Sequence, residues 1–260
     1  MARIKEILAA GNVARMFGLG QLFSTKLLDV VGEHGGFDAL WLDVEHAGLT
    51  MKEIEIAALV AKPHGLDPIV RLPATDYASI MRPLEAGAGG LIISMVEDAA
   101  AAEQAVQWAK FAPRGRRGLN GGNRDGRYGL EPIGEYVARA NAQTFLGIQI
   151  ETQAALDQVE AIAAIDGVDL IFVGPADLSQ TLGVVGDFEN PICLAAIERI
   201  AKACRNAGKP WGIVPKGADY ARHVYDLGCR LFVLGFDISA FHAGIRAAKD
   251  RYQFFFESTV

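Results

Sequence analysis

Eight short apolar runs recur along the chain, and their recurrence limits the possible folds more than any other feature of the sequence. Each run is rich in Val, Ile, Leu or Phe and is apolar along nearly its whole length. Such continuous apolarity is typical of strands that are buried on both faces of a parallel sheet. The predicted strands are Val13–Leu19, Ala39–Val44, Pro68–Leu72, Gly90–Met95, Phe145–Ile150, Leu170–Val173, Trp211–Val214 and Leu231–Leu234.

Segments with helical periodicity separate these runs. Thr50 and Glu53 form a capping-box pattern at the start of one segment, and Gly208 marks the end of another. Strand followed by helix, repeated around eight strands, favours an α/β fold of the (β/α)8 TIM-barrel type with an extended C-terminal helix. An open doubly wound sheet is the alternative. The predicted helices are Met51–Lys62, Glu97–Lys110, Thr152–Ala164, Pro191–Ala207, Ala218–Leu227 and Phe241–Phe256.

The size and charge of the chain narrow its class. The chain has 260 residues, close to the roughly 250 of a single barrel, so we expect one domain over residues 1–260. A formal net charge of −6 argues against a nucleic-acid partner, which needs a basic face. No apolar run approaches the roughly 18 residues of a spanning helix, and the charged N-terminus does not resemble a signal peptide. We therefore expect a cytoplasmic protein without a membrane partner.

The three cysteines, Cys193, Cys204 and Cys229, lie far apart and form no CxxC pair. Their odd number and wide spacing argue against a disulfide framework or a cysteine zinc site. We expect three reduced, buried thiols.

Two carboxylates stand where predicted strands end. Glu151 follows the fifth run and Asp177 closely follows the sixth, and the active site of a parallel barrel lies at the carboxyl ends of its strands. One or two carboxylates, completed by water and substrate oxygens, commonly hold Mg2+ or Mn2+. The alternative is that each carboxylate caps the helix that follows it. Their position on neighbouring strands favours a metal site.

A histidine and an arginine end two further strands. His46 follows the second run beside Asp43 and Glu45, which could orient its ring for proton transfer. Arg71 ends the third run, where its planar guanidinium suits a carboxylate or enolate oxygen. A structural histidine and an ion pair at the barrel rim are the alternatives. Lys216, after the seventh run, offers a different chemistry, a Schiff base.

Several segments, taken in order, resemble the HpcH/HpaI family of class II, metal-dependent pyruvate aldolases. The resemblance extends from about residue 16 to residue 236. It implies a modified TIM barrel and a site for Mg2+, Mn2+ or Co2+ with Glu151 and Asp177 as the ligands. The segments that carry it are WLDVEHAGLT, IVRLP, LEAGAGGLIISMVED, PRGRRGLN, IQIET and FVGPADLSQTLG.

The same resemblance implies a pyruvate pocket. The pyruvoyl end of the substrate would chelate the metal through its carboxylate and keto oxygens. Arg71 would steady the enolate oxygen, and Gln149 would line the pocket together with the backbone of Gly174, Pro175 and Ala176. The implied reaction is reversible cleavage of a 4-hydroxy-2-oxo acid to pyruvate and an aldehyde.

The resemblance further implies that His46 is the acid/base, supported by Asp43 and by the residue at position 85. Many similar proteins carry Asp in an LDAGA-like motif there, whereas this chain has Glu85 in LEAGA. The extra methylene, roughly 1.5 Å, puts the proton relay in question. The Arg-rich loop 114–128 also departs from the family pattern. Arg124 or Arg127 could meet an anionic aldehyde or a second subunit.

The family precedent for assembly is a hexamer with exchanged C-terminal helices, and the apolar tail Phe254-Phe255-Phe256 agrees with it. Three other functions remain open. One is an acyl-CoA lyase of the citrate lyase β type, and the second is a Schiff-base aldolase acting through Lys216. The third is a non-catalytic barrel that binds small acids.

Overall fold

The strands of the computed structural model, which describes residues 3–257, close into a barrel in chain order. Every neighbouring pair is parallel, and β8 pairs with β1, so the sheet has no edge. This closure confirms the predicted TIM barrel and excludes the open doubly wound sheet. The strands are β1 (Ala14–Leu19), β2 (Ala39–Asp43), β3 (Asp67–Pro73), β4 (Gly90–Ser94), β5 (Phe145–Ile150), β6 (Leu170–Val173), β7 (Trp211–Ile213) and β8 (Leu231–Phe236).

Helices surround the barrel. One of them, α1, covers its N-terminal end, where Ile4 is fully buried among residues of the barrel interior such as Met16 and Phe145. The helices are α1 (Arg3–Ala9), α2 (Thr25–His34), α3 (Met51–Ala61), α4 (Tyr77–Ala86), α5 (Ala99–Ala109), α6 (Ile133–Gln143), α7 (Gln153–Asp157), α8 (Val159–Ala164), α9 (Pro175–Thr181), α10 (Pro191–Ala207), α11 (Ala218–Asp226), α12 (Asp237–Arg251) and α13 (Phe254–Glu257).

Local hydrogen bonds set several helix boundaries as the sequence predicted. The Thr50 amide donates to Glu53 at 2.7 Å, and the Glu53 amide donates back to the Thr50 hydroxyl at 3.4 Å, which completes the capping box of α3. Gly208 ends α10 with a left-handed φ of 64°. The predicted helix Thr152–Ala164 is instead two short helices, because Gln158 leaves the helical region with φ −111° and ψ 12°.

The C-terminal helix α12 begins four residues earlier than predicted because of a buried carboxylate. Asp237 accepts the backbone N–H groups of Gly20 at 2.9 Å, Leu22 at 2.7 Å and Ile238 at 2.7 Å. These bonds tie the start of α12 to the loop after β1 at the carboxyl end of the barrel. Beyond this anchor α12 is mostly exposed.

The three cysteines are buried and free, as expected from their spacing. Within residues 3–257, no helix has the length and apolar character that a membrane span requires.

Candidate active site

The carboxyl ends of the strands bring four of the predicted residues to one mouth. Asp43 ends β2 and faces Arg71 of β3 in register. Glu151 follows β5, and Asp177 lies in the first turn of α9, directly after β6. The convergence arises because parallel strands end at the same rim of a barrel.

Glu151 is the most buried carboxylate of the mouth, with 1% of its surface exposed. Its Oε1 accepts the backbone N–H of Met95 at 2.6 Å, and its Oε2 accepts the amide of Gln149. Burial raises the pKa of Glu151, the two hydrogen bonds oppose this, and the nearby charges of Glu45 and Asp177 raise it further. A cation beside Glu151 would therefore relieve both the burial and the crowding of negative charge.

Neither carboxylate acts as a helix cap. Thr152 is the N-cap of α7, where its hydroxyl accepts the Ala155 amide at 3.0 Å. Gly174 is the N-cap position of α9, and Asp177 stands three residues further along. The capping alternative therefore does not explain why Glu151 and Asp177 are present at these positions.

Gly174 permits a close approach of the β6–α9 backbone to Glu151. A Cβ at this position would lie 2.5 Å from the Glu151 Oε2 and 2.8 Å from the Gln149 Nε2. The predicted pocket residues Pro175 and Ala176 follow as the first residues of α9. The structure thus brings Gln149, Gly174 and Glu151 close together.

Apart from the Glu45 oxygen that pairs with Arg71, three buried polar atoms at the mouth lack a partner among the described residues. They are the Gln149 Oε1, the Ser94 Oγ and the Trp41 Nε1, on β5, β4 and β2. A buried polar atom without a hydrogen bond costs about 1–3 kcal/mol, so each such atom indicates a missing ligand or water.

Arg71 is the cation of the mouth. Its Nε and one terminal nitrogen donate to Asp43 at 3.1 and 2.6 Å, and the other terminal nitrogen lies 2.6 Å from Glu45. The guanidinium also lies 5.4 Å from the centre of the Trp41 ring. A guanidinium has five N–H donors, so these contacts leave donors for a substrate oxygen.

Asp43 supports the backbone of His46 and not its ring. One oxygen of Asp43 accepts the amides of Glu45 and His46, each at 3.0 Å, while the carboxylate binds Arg71. Glu45 likewise pairs with Arg71. The expectation that Asp43 and Glu45 orient the imidazole is therefore corrected: they fix the loop that carries it. The His46 side chain itself is exposed at the mouth.

Glu85 lies away from His46 within the chain. It belongs to the last turn of α4, and a helix that follows a barrel strand ends beside the start of the next strand. Burial raises the pKa of Glu85, the charge of Asp125 raises it further, and Arg117 opposes both. The predicted contact between Glu85 and His46 is not formed in one chain, because the two residues lie at opposite ends of the barrel.

The other predicted candidates are Lys216 and two arginines of the loop 114–128. The Lys216 ammonium lies 5.1 Å from the centre of the Phe188 ring. Arg124 and Arg127 line a cavity at the N-terminal end of the barrel, so neither approaches the mouth of its own chain. Within one chain, therefore, neither arginine can contact an aldehyde that is bound at the mouth.

A second cluster of possible metal ligands combines two exposed carboxylates with a partly buried histidine. Asp29, Glu33 and His64 offer ligand atoms within 4.8 Å of one another, on α2 and after α3. The His64 ring already contacts Asp29 at 2.9 Å. Exposed groups of this kind are common without a metal, so the cluster does not compete with the buried Glu151.

Sequence reasoning missed four residues of the mouth. Glu45 was considered only as a neighbour of His46, and Trp41, Ser94 and Met95 were not considered. Met95 has a left-handed φ of 55° and turns its amide toward Glu151. The available signal was positional, because Met95 follows the end of β4 at Ser94 just as Glu151 follows the end of β5.

Comparison with known proteins agrees with this geometry. Residues 21–243 match the model of the HpcH/HpaI aldolase/citrate lyase family. The chain is 34% identical over 254 residues to 5-keto-4-deoxy-D-glucarate aldolase of Klebsiella pneumoniae, covering 96% of both chains. It superimposes on an HpcH/HpaI aldolase/citrate lyase family protein of Burkholderia cenocepacia with a TM-score of 0.90, 32% identity and coverage of 97% and 100%. It also superimposes on an HpcH/HpaI aldolase of Desulfitobacterium hafniense with a TM-score of 0.88 and 29% identity, covering 96% of this chain and 97% of that one.

The closed TIM barrel and these matches together define an aldolase-type barrel enzyme. The chain belongs to the HpcH/HpaI aldolase/citrate lyase family. The curated relatives are named as aldolases, and the protein is accordingly a carbon–carbon lyase of this family.

Proposed function

We propose that the protein is a metal-dependent aldolase that cleaves a 4-hydroxy-2-oxo acid reversibly to pyruvate and an aldehyde. The observation that carries the proposal is the buried carboxylate of Glu151, whose charge is crowded by Asp177 and Glu45. Arg71 stands on the same rim but binds Asp43 and Glu45. The acidic group around Glu151 therefore supports the binding of a further cation there.

The donor set fits a hard divalent cation. Glu151 and Asp177 supply carboxylate oxygens, which Mg2+ and Mn2+ prefer, and Co2+ is a third candidate. The free Oε1 of Gln149 and the glycine at position 174 leave polar contacts and room beside Glu151. When bound there, the cation would supply Lewis-acid polarisation of the 2-oxo group.

The residues of the chain account for the remaining chemistry. Cleavage of the C3–C4 bond moves negative charge onto the 2-oxo oxygen, and the spare N–H donors of Arg71 can stabilise that charge. Trp41, Asp43 and Glu45 hold the guanidinium in place before the substrate arrives. Little reorganisation is then needed during the reaction.

The proton of the 4-hydroxyl needs an acceptor at the mouth. His46 is exposed there, on a loop fixed by Asp43, and an imidazole can exchange protons near neutral pH. We assign the acid/base role to His46, acting directly or through water. Gln149 and the backbone of Gly174, Pro175 and Ala176 would line the pyruvate side of the pocket.

The relatives suggest which aldehyde to try first. They are named as 5-keto-4-deoxy-D-glucarate aldolases. We propose that this chain also cleaves a 2-oxo acid that is derived from a sugar acid. Substrates that release succinic semialdehyde form the second group to test.

We further propose that residues 1–260 form one domain of a cytoplasmic homo-oligomer, a hexamer by family resemblance. Three buried, free thiols agree with a reducing compartment. The exposed aromatic side chains of Phe254, Phe255 and Phe256 agree with a subunit contact.

The testing experiment measures pyruvate release from a panel of 4-hydroxy-2-oxo acids, including 5-keto-4-deoxy-D-glucarate, with Mg2+ or Mn2+ and with excess EDTA. We expect release that requires metal and falls by about 10²-fold or more in Glu151→Ala, a loss of the size seen when charge stabilisation is removed. Glu198→Ala, an exposed glutamate on α10, is the control.

The other outcomes identify the alternatives. Release that survives EDTA, with trapping by borohydride in the presence of pyruvate, would contradict the metal mechanism and indicate Lys216. Turnover of acyl-CoA thioesters alone would indicate a citrate lyase-like activity. Binding of metal and pyruvate without turnover of any substrate would indicate a non-catalytic barrel.

A further inference from the structure

A cavity of about 760 Å3 lies at the N-terminal end of the barrel, opposite to the mouth. It is bounded by Pro68 and Gly89 near the starts of β3 and β4, and by Ala58 and Leu84 from α3 and α4. Its volume is within the range of roughly 300–1,000 Å3 that is usual for small-molecule sites. Its lining does not include Glu151, Asp177 or Arg71, so it is separate from the proposed active site.

The cavity is basic although the chain as a whole has a formal net charge of −6. Asp125 is neutralised by Arg117, and the neighbouring Glu131 pairs with Arg139 at 2.6 Å. Asp67 accepts the backbone N–H of Ile4 at 2.8 Å. The basic residues of the lining are Lys62, Arg117, Arg124, Arg127 and Arg139, and the acidic ones are Glu6, Asp67 and Asp125.

Arg117 is the buried cation of the lining, with 1% of its side chain exposed. Its guanidinium lies 4.7 Å from the centre of the Phe111 ring and pairs with Asp125. Its Nε is buried without a hydrogen-bond partner among the described residues. Such an orphaned donor is costly, and it leaves Arg117 able to donate to a ligand or a water.

Arg124 packs over Gly87, and no carboxylate among the described residues neutralises its charge. Gly87 has a left-handed φ of 106°, and a Cβ there would lie 2.5 Å from the Arg124 Cδ, so glycine makes room for the arginine. One terminal nitrogen of Arg124 donates to the Ala58 carbonyl at 3.0 Å. Between residues 3 and 257, Arg124 has no carboxylate partner within 4.0 Å. Its charge and its remaining donors are therefore available to a ligand.

The rim of the cavity is held in an unusual backbone conformation. Arg127 and Tyr128 have φ values of 54° and 58°, and Gly129 follows at 84°. Left-handed backbone at non-glycine residues costs about 1–3 kcal/mol each and concentrates at ligand sites. The Arg127 side chain is 68% exposed, and its nearest carboxylate oxygen, on Glu131, is 3.9 Å away.

We propose that this cavity binds a small multivalent anion, either a di- or tricarboxylate or a phosphate ester. Arg117, Arg124 and Arg127 supply the charge and the N–H donors, because the guanidinium fork matches carboxylate and phosphate oxygens. The volume of the recess suits a small molecule, and the net negative charge of the chain opposes a nucleic acid.

The test is isothermal titration of the full chain with citrate and with inorganic phosphate at constant ionic strength. The variant is Arg124→Gln with Arg127→Gln, and the control, Arg205→Gln with Arg222→Gln, removes the same charge from exposed positions elsewhere. We expect saturable binding to the wild type and the control, and binding weaker by about tenfold or more in the cavity variant, which is a change of 1.4 kcal/mol. Circular dichroism and light scattering establish that the fold and the assembly are unchanged.

The two anions distinguish the ligand sources, since preference for citrate indicates a polycarboxylate and preference for phosphate a phosphate ester. Absence of saturable binding to the wild type overturns the proposal. Equal binding by the cavity variant also overturns it, because the anion would then lie elsewhere, for example at the mouth. If the wild type binds neither anion and the cavity variant alone changes the oligomer size, the cavity is a subunit contact and not a ligand site.

Discussion

At the scale of single residues, the site depends on how closely the backbone of one strand end approaches the carboxylate of the next. A side chain at Gly174 would begin with a Cβ only 2.5 Å from the Glu151 Oε2 and 2.8 Å from the Gln149 Nε2, so it would displace both. Glu151 in turn is fixed by the Met95 amide. Residues on two neighbouring strands thus hold the Glu151 carboxylate in place. We therefore expect a small displacement of this carboxylate to weaken ligand binding.

We predict that Gly174→Ala weakens divalent metal binding by about tenfold or more without unfolding the protein. The added Cβ would lie 2.5 Å from the Glu151 Oε2, and a shift of that carboxylate removes a preorganised ligand. Titration with Mn2+ followed by paramagnetic relaxation measures the affinity. Gly134→Ala on α6, where a Cβ would meet nothing within 4 Å, is the control. Equal affinity in the two variants would contradict the role of Gly174.

The sequence indicated Glu151, Asp177 and Arg71 because each stands at the end of a recognisable strand. The role of Glu85 was inferred from the family resemblance alone, because the strand pattern does not say where the end of α4 lies relative to His46. The orphaned atoms of Gln149 and Ser94 could not be predicted. Hydrogen-bond satisfaction depends on three-dimensional neighbours and not on residue type.

At the scale of elements, the strands were predicted well because burial on both faces leaves a continuous apolar signal. The helices α1, α2, α4, α6 and α9 were not predicted. Two of them, α2 and α4, each contain a residue that weakens a helical pattern. Gly32 of α2 packs against the His64 ring, and a Cβ there would lie 2.3 Å from it. Pro83 lies inside α4. In both helices tertiary packing outweighs the local propensity.

A buried lysine joins three of these elements. The Lys110 ammonium, at the end of α5, donates to the carbonyls of Asn141 in α6 at 3.1 Å and of Thr144 before β5 at 2.7 Å. Burial lowers the pKa of Lys110 to about 8. In the unfolded chain its pKa returns to about 10.4, so between these values the folded state binds fewer protons.

We predict that the free energy of unfolding of the wild type, relative to Lys110→Met, rises by about 1–3 kcal/mol from pH 8 to pH 10. The sign follows because stability increases with pH wherever the unfolded state binds more protons. Urea unfolding across this range measures the difference. Lys202→Met, at an exposed lysine, should show the pH dependence of the wild type. Parallel curves for the wild type and Lys110→Met would show that Lys110 titrates normally.

At the scale of the whole molecule, the C-terminal helices α12 and α13 expose an apolar surface. Phe254 and Phe255 are 75% and 72% exposed, and Phe241 and Ile245 of α12 are also exposed. An apolar surface of this kind seldom faces water in a stable protein. At its other end, α12 is anchored to the mouth through Asp237. A subunit contact through this helix would therefore act on the loop after β1.

We predict that the protein is a multimer and that Phe254→Ser, Phe255→Ser and Phe256→Ser together reduce its mass in solution. Removing three exposed aromatic rings deletes the apolar surface that a partner would bury, at about 25 cal/mol per Å2, while the barrel core is untouched. Light scattering after size-exclusion chromatography measures the mass, and the thermal midpoint reports on the barrel. Val185→Ser with Ile192→Ser, exposed apolar residues distant in sequence from the tail, should keep the wild-type mass. A triple variant with unchanged mass would show that the tail does not hold the subunits together, and the contact would then have to be sought on another face of the barrel.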